Sequence, residues 1–434
     1  MARLKKIGDK FSLDRLYEVF NFNSPEELEK KKASLFPIGK STDENQTTSI
    51  FLSSLSAVKE YREELLNQIG IKKINNRNMQ VHVYTEIPCN DGEDRPDGLV
   101  VLTSGIHKPI IVWVSFLESK IGNNDIDSEQ IAKYIKYGKE VGIENIITIS
   151  NQLVTTPYES PANINKRIKC NLFHWSWIYL SVTAGRLLKA NVIEDSDHVY
   201  ILSELRRYFN EHKGLKNYEG MEKSWKEATS NFLNKATKTP KPLISEIIKS
   251  YQQEEKDICL QLTEATGYYI NLKTNTKPRE EVLQKMLEKD KVISSTFFVS
   301  ENPSKTFTID IDFYSRIITC YSRCTINTGK AKAQTTKIIN IVSANDTTIE
   351  DEILIGAIYP RISRNNIEFK SLAILSKEEG NYSFIKKERG DTIKEFEIKI
   401  IDDLGKDFHR PQVIVSRLEN LAKVFFEKVF IRLK

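Results

Sequence analysis

What the chain lacks narrows its identity first. None of its 434 residues form a run approaching the roughly 18–20 uninterrupted apolar residues that a bilayer span needs, so no membrane role is expected. The opening MARLKKIGDKFSLDRLYE is basic but carries no long apolar segment of the secretory kind. Cysteine is scarce: Cys89, Cys170, Cys259, Cys320 and Cys324 are scattered and odd in number, which suits a reducing cytoplasm. Only Cys320 and Cys324 are close, and no further Cys or His pair follows at zinc-site spacing. A Walker-type glycine-rich loop, a dinucleotide fingerprint and a Ser-His-Asp order are missing too, which removes an ATP-driven motor from consideration. There is no internal repeat and no low-complexity linker.

What is present supports folded cores. Hydrophobic residues make up 40% and charged residues 28%, a globular rather than disordered balance. The net charge of +5 permits a polyanionic partner without pointing to one. At this length two or three domains are expected.

Periodicity divides the chain into four parts. Residues 1–40 read as a helical extension, with SPEELEKKKASLF opening on a helix start. Residues 41–190 read as one α/β domain. A long helix covers STDENQTTSIFLSSLSAVKEYREELLNQIG, followed by strands in MQVHVYTEIP, PDGLVVLTS and KPIIVWVSFLESK, the last two joined by a hairpin at SGIHKP. A capped helix, SEQIAKYIKYGKEVG, ends at Gly142; IENIITISNQ and NLFHWSWIYLSV add strands, and a helix begins near Thr183. This order predicts a central mixed sheet flanked by helices. Residues 191–290 read as helical and polar. Residues 291–434 read as a β-rich α+β domain with strands in STFFVS, TFTIDIDFY, RIITCYSRC, TKIINIVS, IEFKSLAIL and EFEIKII, closing on the helix QVIVSRLENLAKVFFEKVF.

One constellation carries chemistry. By strand alternation Ile110, Val112, Val114 and Phe116 share a face with Glu118 and Lys120, so two charges finish an apolar face. Asp97 heads the preceding strand. Burying an unpaired carboxylate is costly, so a cation or an ion pair is expected there. A hard cation such as Mg²⁺ takes one or two carboxylates and keeps several waters. Lys120 beside it would orient a water, with its pKa lowered if partly buried near the cation. The ion would polarise a phosphoryl oxygen and activate the attacking water.

At these residues the chain resembles the PD-(D/E)XK nuclease superfamily, which has a restriction-endonuclease-like fold. Pro96-Asp97 matches its PD and Glu118-Ser119-Lys120 its (D/E)XK. Glu44, in DENQTTSIFLSSL, stands where many members carry an additional metal-binding acid. Gln130 and Tyr134, one helical turn apart in EQIAKYIKY, look like the Gln-x-x-x-Tyr feature of the RecB-like branch. The resemblance covers roughly residues 41–182. It implies a nuclease acting most often on DNA, in which Glu44, Asp97 and Glu118 hold Mg²⁺ (Mn²⁺ substituting), with the carbonyl of Leu117 or Ser119 as a further ligand. Lys120 would position the water, and Gln130, supported by Tyr134, would orient substrate or the catalytic groups. By analogy, restriction or anti-phage defence is the expected setting, with the C-terminal half serving recognition, self-association or a protein partner. A non-catalytic nucleic-acid-binding scaffold and an RNA-directed nuclease stand as rivals.

Other residues compete for roles. Glu60, Glu63 and Glu64 share the helix of Glu44 and read as a solvated face; Glu86 and Asp94 lie near Asp97. His174 with Trp175 and Trp177 reads as a packed edge strand, and His107 as a solvated turn. Asn151 and Gln152 read as loop caps or substrate contacts. Arg206, Arg207, Lys213, Lys216, Lys223 and Lys226, interleaved with Tyr208, Phe209 and Trp225, could contact phosphates and bases, but nearby glutamates dilute their field.

Overall fold

The computed structural model describes residues 6–433 except 9–10, 34–42, 73, 75, 77, 90–94, 123, 155, 165–168, 216–220, 222–223, 234–238, 275–277, 344–350, 361–366, 379 and 386–391. The chain divides into two compact units, Met1–Asn217 and Tyr218–Lys434.

The first unit contains α1 (Leu16–Val19), α2 (Pro25–Glu29), α3 (Asp43–Ala57), α4 (Lys59–Gln68), β1 (Met79–Thr85), β2 (Gly98–Ser104), β3 (Ile110–Ser119), α5 (Ser128–Val141), β4 (Asn145–Ser150), β5 (Asn171–Ser176), α6 (Trp177–Ala190) and α7 (Ser196–Glu211). Its five strands lie side by side in chain order. The pairs β1–β2 and β2–β3 are antiparallel, whereas β3–β4 and β4–β5 are parallel, so the sheet is mixed as expected. The switch falls where a short hairpin gives way to a helical crossover, the connection parallel neighbours require. α5 starts at Asp127, whose carboxylate accepts from the Glu129 N–H, and stops at Gly142 with φ +84°. A β-carbon there would lie 2.1 Å from the Ile7 carbonyl oxygen.

The two faces of this sheet have different covers. Phe116 stacks on Tyr137 and meets Tyr134, both on α5. On the other face Phe51 of α3 packs edge-on against Trp175 and Trp177. Successive residues near the end of β3 therefore address different helices.

The expected alternation through β3 is interrupted: Leu102 pairs with Trp113 but Thr103 with Ile111, so Val112 bulges out and is 53% exposed. Ile111, not Val112, joins Val114 and Phe116 in the core beneath α5. The expected long helix breaks into α3 and α4 at Val58, which has extended dihedrals. Arg62 caps the break by donating to the Leu55 and Ser56 carbonyls at 3.2 and 2.6 Å. The helix expected from Thr183 begins at Trp177, because the Ser176 hydroxyl accepts the Tyr179 N–H and starts it.

The second unit contains α8 (Ser224–Leu233), α9 (Lys241–Thr266), β6 (Ile270–Leu272), α10 (Arg279–Lys289), β7 (Val292–Val299), β8 (Asn302–Asp312), β9 (Ile317–Cys324), α11 (Ala331–Val342), β10 (Leu354–Ile358), β11 (Phe369–Ser371), α12 (Leu372–Lys377), β12 (Glu395–Asp403) and α13 (Pro411–Lys428). Its seven-stranded sheet is antiparallel throughout, in the order β11-β10-β12-β9-β8-β7-β6. Burial alternates along β7, and Phe307 of β8 meets Phe425, Phe426 and Phe430. The helical stretch 191–290 is thus shared out: α7 belongs to the first unit, and α8–α10 with β6 to the second.

The strand expected in TKIINIVS is the end of α11. Ala331, Gln334, Thr335, Ile338, Ile339 and Val342 are buried at helical spacing, and packing overrides the β-propensity of Thr and Ile. In IEFKSLAIL the strand stops at Ser371, whose hydroxyl caps α12. β10 was not anticipated.

Candidate functional site

The register of β2 and β3 builds the site. Gly98 pairs with Leu117, and one further step sets Asp97 opposite Glu118. Beyond Glu118, the parallel neighbours are Thr148 on β4 and His174 on β5. Lys120 follows the last residue of β3, and its N–H donates to the Ile149 carbonyl at 2.7 Å. Its Nζ lies 2.5 Å from Glu118 Oε1 and 3.4 Å from Glu44 Oε1. Glu44 comes from the first turn of α3, and its Oε2 accepts the Ile121 N–H at 3.2 Å. Glu44, Asp97, Glu118 and Lys120 are therefore brought together at one strand end.

Their electrostatics are unequal. Glu118 is 1% exposed, and its Oε2 is buried with no hydrogen-bond partner. Burial, then the nearby Asp97 charge, pushes its carboxyl above the usual range despite Lys120. Burial also raises Asp97, against the opposing pull of the Ser119 N–H and Lys120. Lys120 also departs from its ordinary value. Burial works to lower it, but Glu118, Asp97 and Glu44 together hold the ammonium above its ordinary value.

Gln130 and Tyr134 form the expected one-turn pair: the Gln130 amide donates to the Tyr134 hydroxyl at 2.8 Å. That hydroxyl donates in turn to the Arg95 carbonyl at 3.1 Å. Burial and the Glu118 charge raise the Tyr134 phenol, so it stays protonated.

Several candidates go elsewhere. Glu60, Glu63 and Glu64 sit on α4, beyond the break at Val58, where Glu60 pairs with His198 and Glu64 with Arg186. Glu86 adjoins Asp97, its N–H donating to the Asp97 carbonyl, but its Oε1 accepts from Asn45 at 3.4 Å. Asp94 lies outside the described residues. His107 occupies the hairpin end of β2 and β3, roughly 20 Å along the strands from Asp97. His174 is fully buried, with Nδ1 against the Thr148 hydroxyl at 2.8 Å and Nε2 against the Gln152 carbonyl at 3.0 Å. Gln152 accepts from the Ile126 N–H, a loop cap. Asn151 donates to the carbonyls of Gly122 and Gly214, each at 2.8 Å.

In the basic stretch Arg207 is neutralised by Glu204 and Glu211. Tyr208 bonds Thr47, Phe209 packs on Trp177, and Trp225 is buried with its indole N–H on the Phe408 carbonyl. These rings are committed to packing. Lys216 and Lys223 lie outside the described residues.

Sequence reading missed three supports. Ser119 donates to Asp97 Oδ2 from its N–H at 2.7 Å and from its hydroxyl at 3.1 Å. Thr48 on α3 meets the Ser119 hydroxyl at 2.5 Å. The Trp177 indole N–H donates to the Lys120 carbonyl at 2.9 Å. Strand parity offered a signal for Ser119, since it places that hydroxyl on the α3 face; nothing comparable marked Thr48 or Trp177.

Among the described residues no group of three or more His, Cys, Asp or Glu side chains is gathered as a metal cage. None of their helices is long and apolar enough to cross a membrane. No family model, no curated protein and no solved structure matches the chain.

Proposed function

We propose that the first unit is a metal-dependent nuclease of PD-(D/E)XK type that hydrolyses phosphodiester bonds, with DNA as the substrate. The observation that carries this reading is the meeting of Asp97, Glu118 and Lys120 at one strand end, with one oxygen of the buried Glu118 left unpartnered. Burial raises both carboxyls, Asp97 adds to the shift of Glu118 and Glu44 to that of Asp97, and Lys120 offsets only part of it.

The donor set suits Mg²⁺, which needs only one or two carboxylates and keeps its remaining waters. Asp97 and Glu118 would hold it, with Glu44 as the further acid from α3. Bound there, the ion would polarise a phosphoryl oxygen and make water a better nucleophile. The chain's own groups do the rest. Lys120, held charged by three carboxylates, orients the water and offsets negative charge building at phosphorus. Gln130, tied to Tyr134, orients substrate from the α5 side. The second unit serves recognition, self-association or a partner protein, an assignment by analogy with two-part restriction and anti-phage nucleases.

The test is cleavage of duplex DNA, single-stranded DNA and RNA by the full chain with Mg²⁺ or Mn²⁺. Asp97→Asn and Lys120→Ala are each expected to cut the rate by on the order of 10²–10³, as removal of a transition-state charge stabiliser does, while circular dichroism and DNA affinity hold. Wild-type protein that cleaves none of these substrates with either ion would sink the enzyme reading in favour of a binding scaffold.

A further inference from the structure

The third residue of the strand-end triplet, Ser119, points away from Glu118 and enters a hydroxyl chain. It runs from the Glu44 carbonyl on α3 to Thr48 Oγ1 at 2.9 Å, on to Ser119 Oγ at 2.5 Å, and ends at Asp97 Oδ2 at 3.1 Å. Thr48 and Ser119 are 1% and 0% exposed, so water does not compete for these contacts. Two hydroxyl hydrogens serve three contacts. The Glu44 carbonyl and the Asp97 carboxylate can only accept, so Ser119 donates to Asp97, and Thr48 donates to the Glu44 carbonyl with the same hydrogen shared toward Ser119 Oγ. The Ser119 N–H adds a second donor to the same oxygen at 2.7 Å. Oδ2 is thereby fully engaged, whereas Oδ1 accepts no hydrogen bond among the described residues.

We propose that Thr48 and Ser119 are positioning residues that lock the Asp97 carboxylate by Oδ2 and so present Oδ1 to a bound divalent cation. The chain also joins the helix carrying Glu44 to the strand pair carrying Asp97 and Glu118, setting the spacing of the acids. This inference rests on the nuclease reading for its activity arm, though not for its binding arm.

The variants are Thr48→Val, which keeps the shape and loses the hydroxyl, Thr48→Ser, which keeps the hydroxyl, and Ser119→Ala. Mn²⁺ affinity, read by electron paramagnetic resonance on the full chain, is expected to fall about 3- to 10-fold in Thr48→Val and Ser119→Ala and to stay near wild type in Thr48→Ser. Cleavage, where the wild type cleaves, is expected to lose kcat by about 10-fold in the same two variants with KM for DNA unchanged. Equal Mn²⁺ affinity in Thr48→Val and wild type overturns the positioning role whether or not the chain cleaves DNA. Wild-type protein that binds no Mn²⁺ overturns it together with the metal site. Thr48→Ser behaving like Thr48→Val also overturns it, since packing rather than the hydroxyl would then be what matters.

Discussion

Glu254 and Glu255 are neighbours on α9, both buried, and only one is compensated. Glu255 is bound by Arg279 and the Ser295 hydroxyl. Glu254 is wholly buried with neither oxygen hydrogen-bonded, and burial followed by Glu419 and Asp257 drives its carboxyl far above the ordinary range. Asp257 is pushed up to about 7 by burial, with Glu419 nearby and the Gln261 amide spanning the two. Both shifts are upward, so the folded state favours the protonated acids. Their stabilising contribution is complete below the unfolded carboxyl range and drains away as pH rises through about 7. Thermal melts are therefore expected to show a more stable chain at pH 5 than at pH 8. Glu254→Gln should flatten that slope and gain on the order of 1–3 kcal/mol at pH 8, about the cost of an unsatisfied buried polar group. A steeper slope in the variant would contradict this account.

At the scale of elements, α3 and β2 approach as closely as their side chains allow. A β-carbon on Gly98 would lie 2.8 Å from Leu52 Cδ1 and 3.3 Å from the Leu117 β-carbon. Gly98→Ala is expected to destabilise by about 1–3 kcal/mol through overpacking and to slow the proposed cleavage by displacing α3, and Glu44 with it. Equilibrium denaturation and rate measurements on one preparation would separate the two effects. Much of this arrangement was legible in the residue order. Asp97 before one apolar strand and Glu118 near the end of the next must lie side by side if a short hairpin joins them, and Gln130 to Tyr134 is one turn on any helix. The bulge at Val112 was hidden, because apolar residues fill both parities of IIVWV and alternation cannot show a slipped step. The break at Val58 carries no proline or glycine and depends on Arg62 reaching back, a contact made only after folding. α11 was misread because Thr and Ile favour strands wherever packing does not decide. The hydroxyls of Thr48 and Ser119 were passed over as ordinary helix and strand residues.

At the scale of the whole molecule, the described residues form two sheets, each with its own core. Phe307, stacked on Phe297 and ringed by Phe425, Phe426 and Phe430, is a central residue of the second. Calorimetry is expected to resolve two transitions, with Phe307→Ala lowering only one, by about 3–5 kcal/mol. A single transition that shifts as a whole would show that the cores unfold together. The exit from the first unit has a consequence of its own. Gly214 lies just before the second unit begins, and its carbonyl takes the Gly122 N–H at 2.7 Å and one hydrogen of Asn151. The backbone is thus stitched to the site's own loop two residues after Lys120, a seam rather than a trailing thread. Gly122 is two residues from Lys120 and one from Ile121, whose N–H is held by Glu44, so strain on that seam bears on both the Lys120 and the Glu44 side chains. Unpicking it with Asn151→Ala should speed amide exchange at Gly122 and slow the proposed cleavage, while the melting of the second core stays where it was.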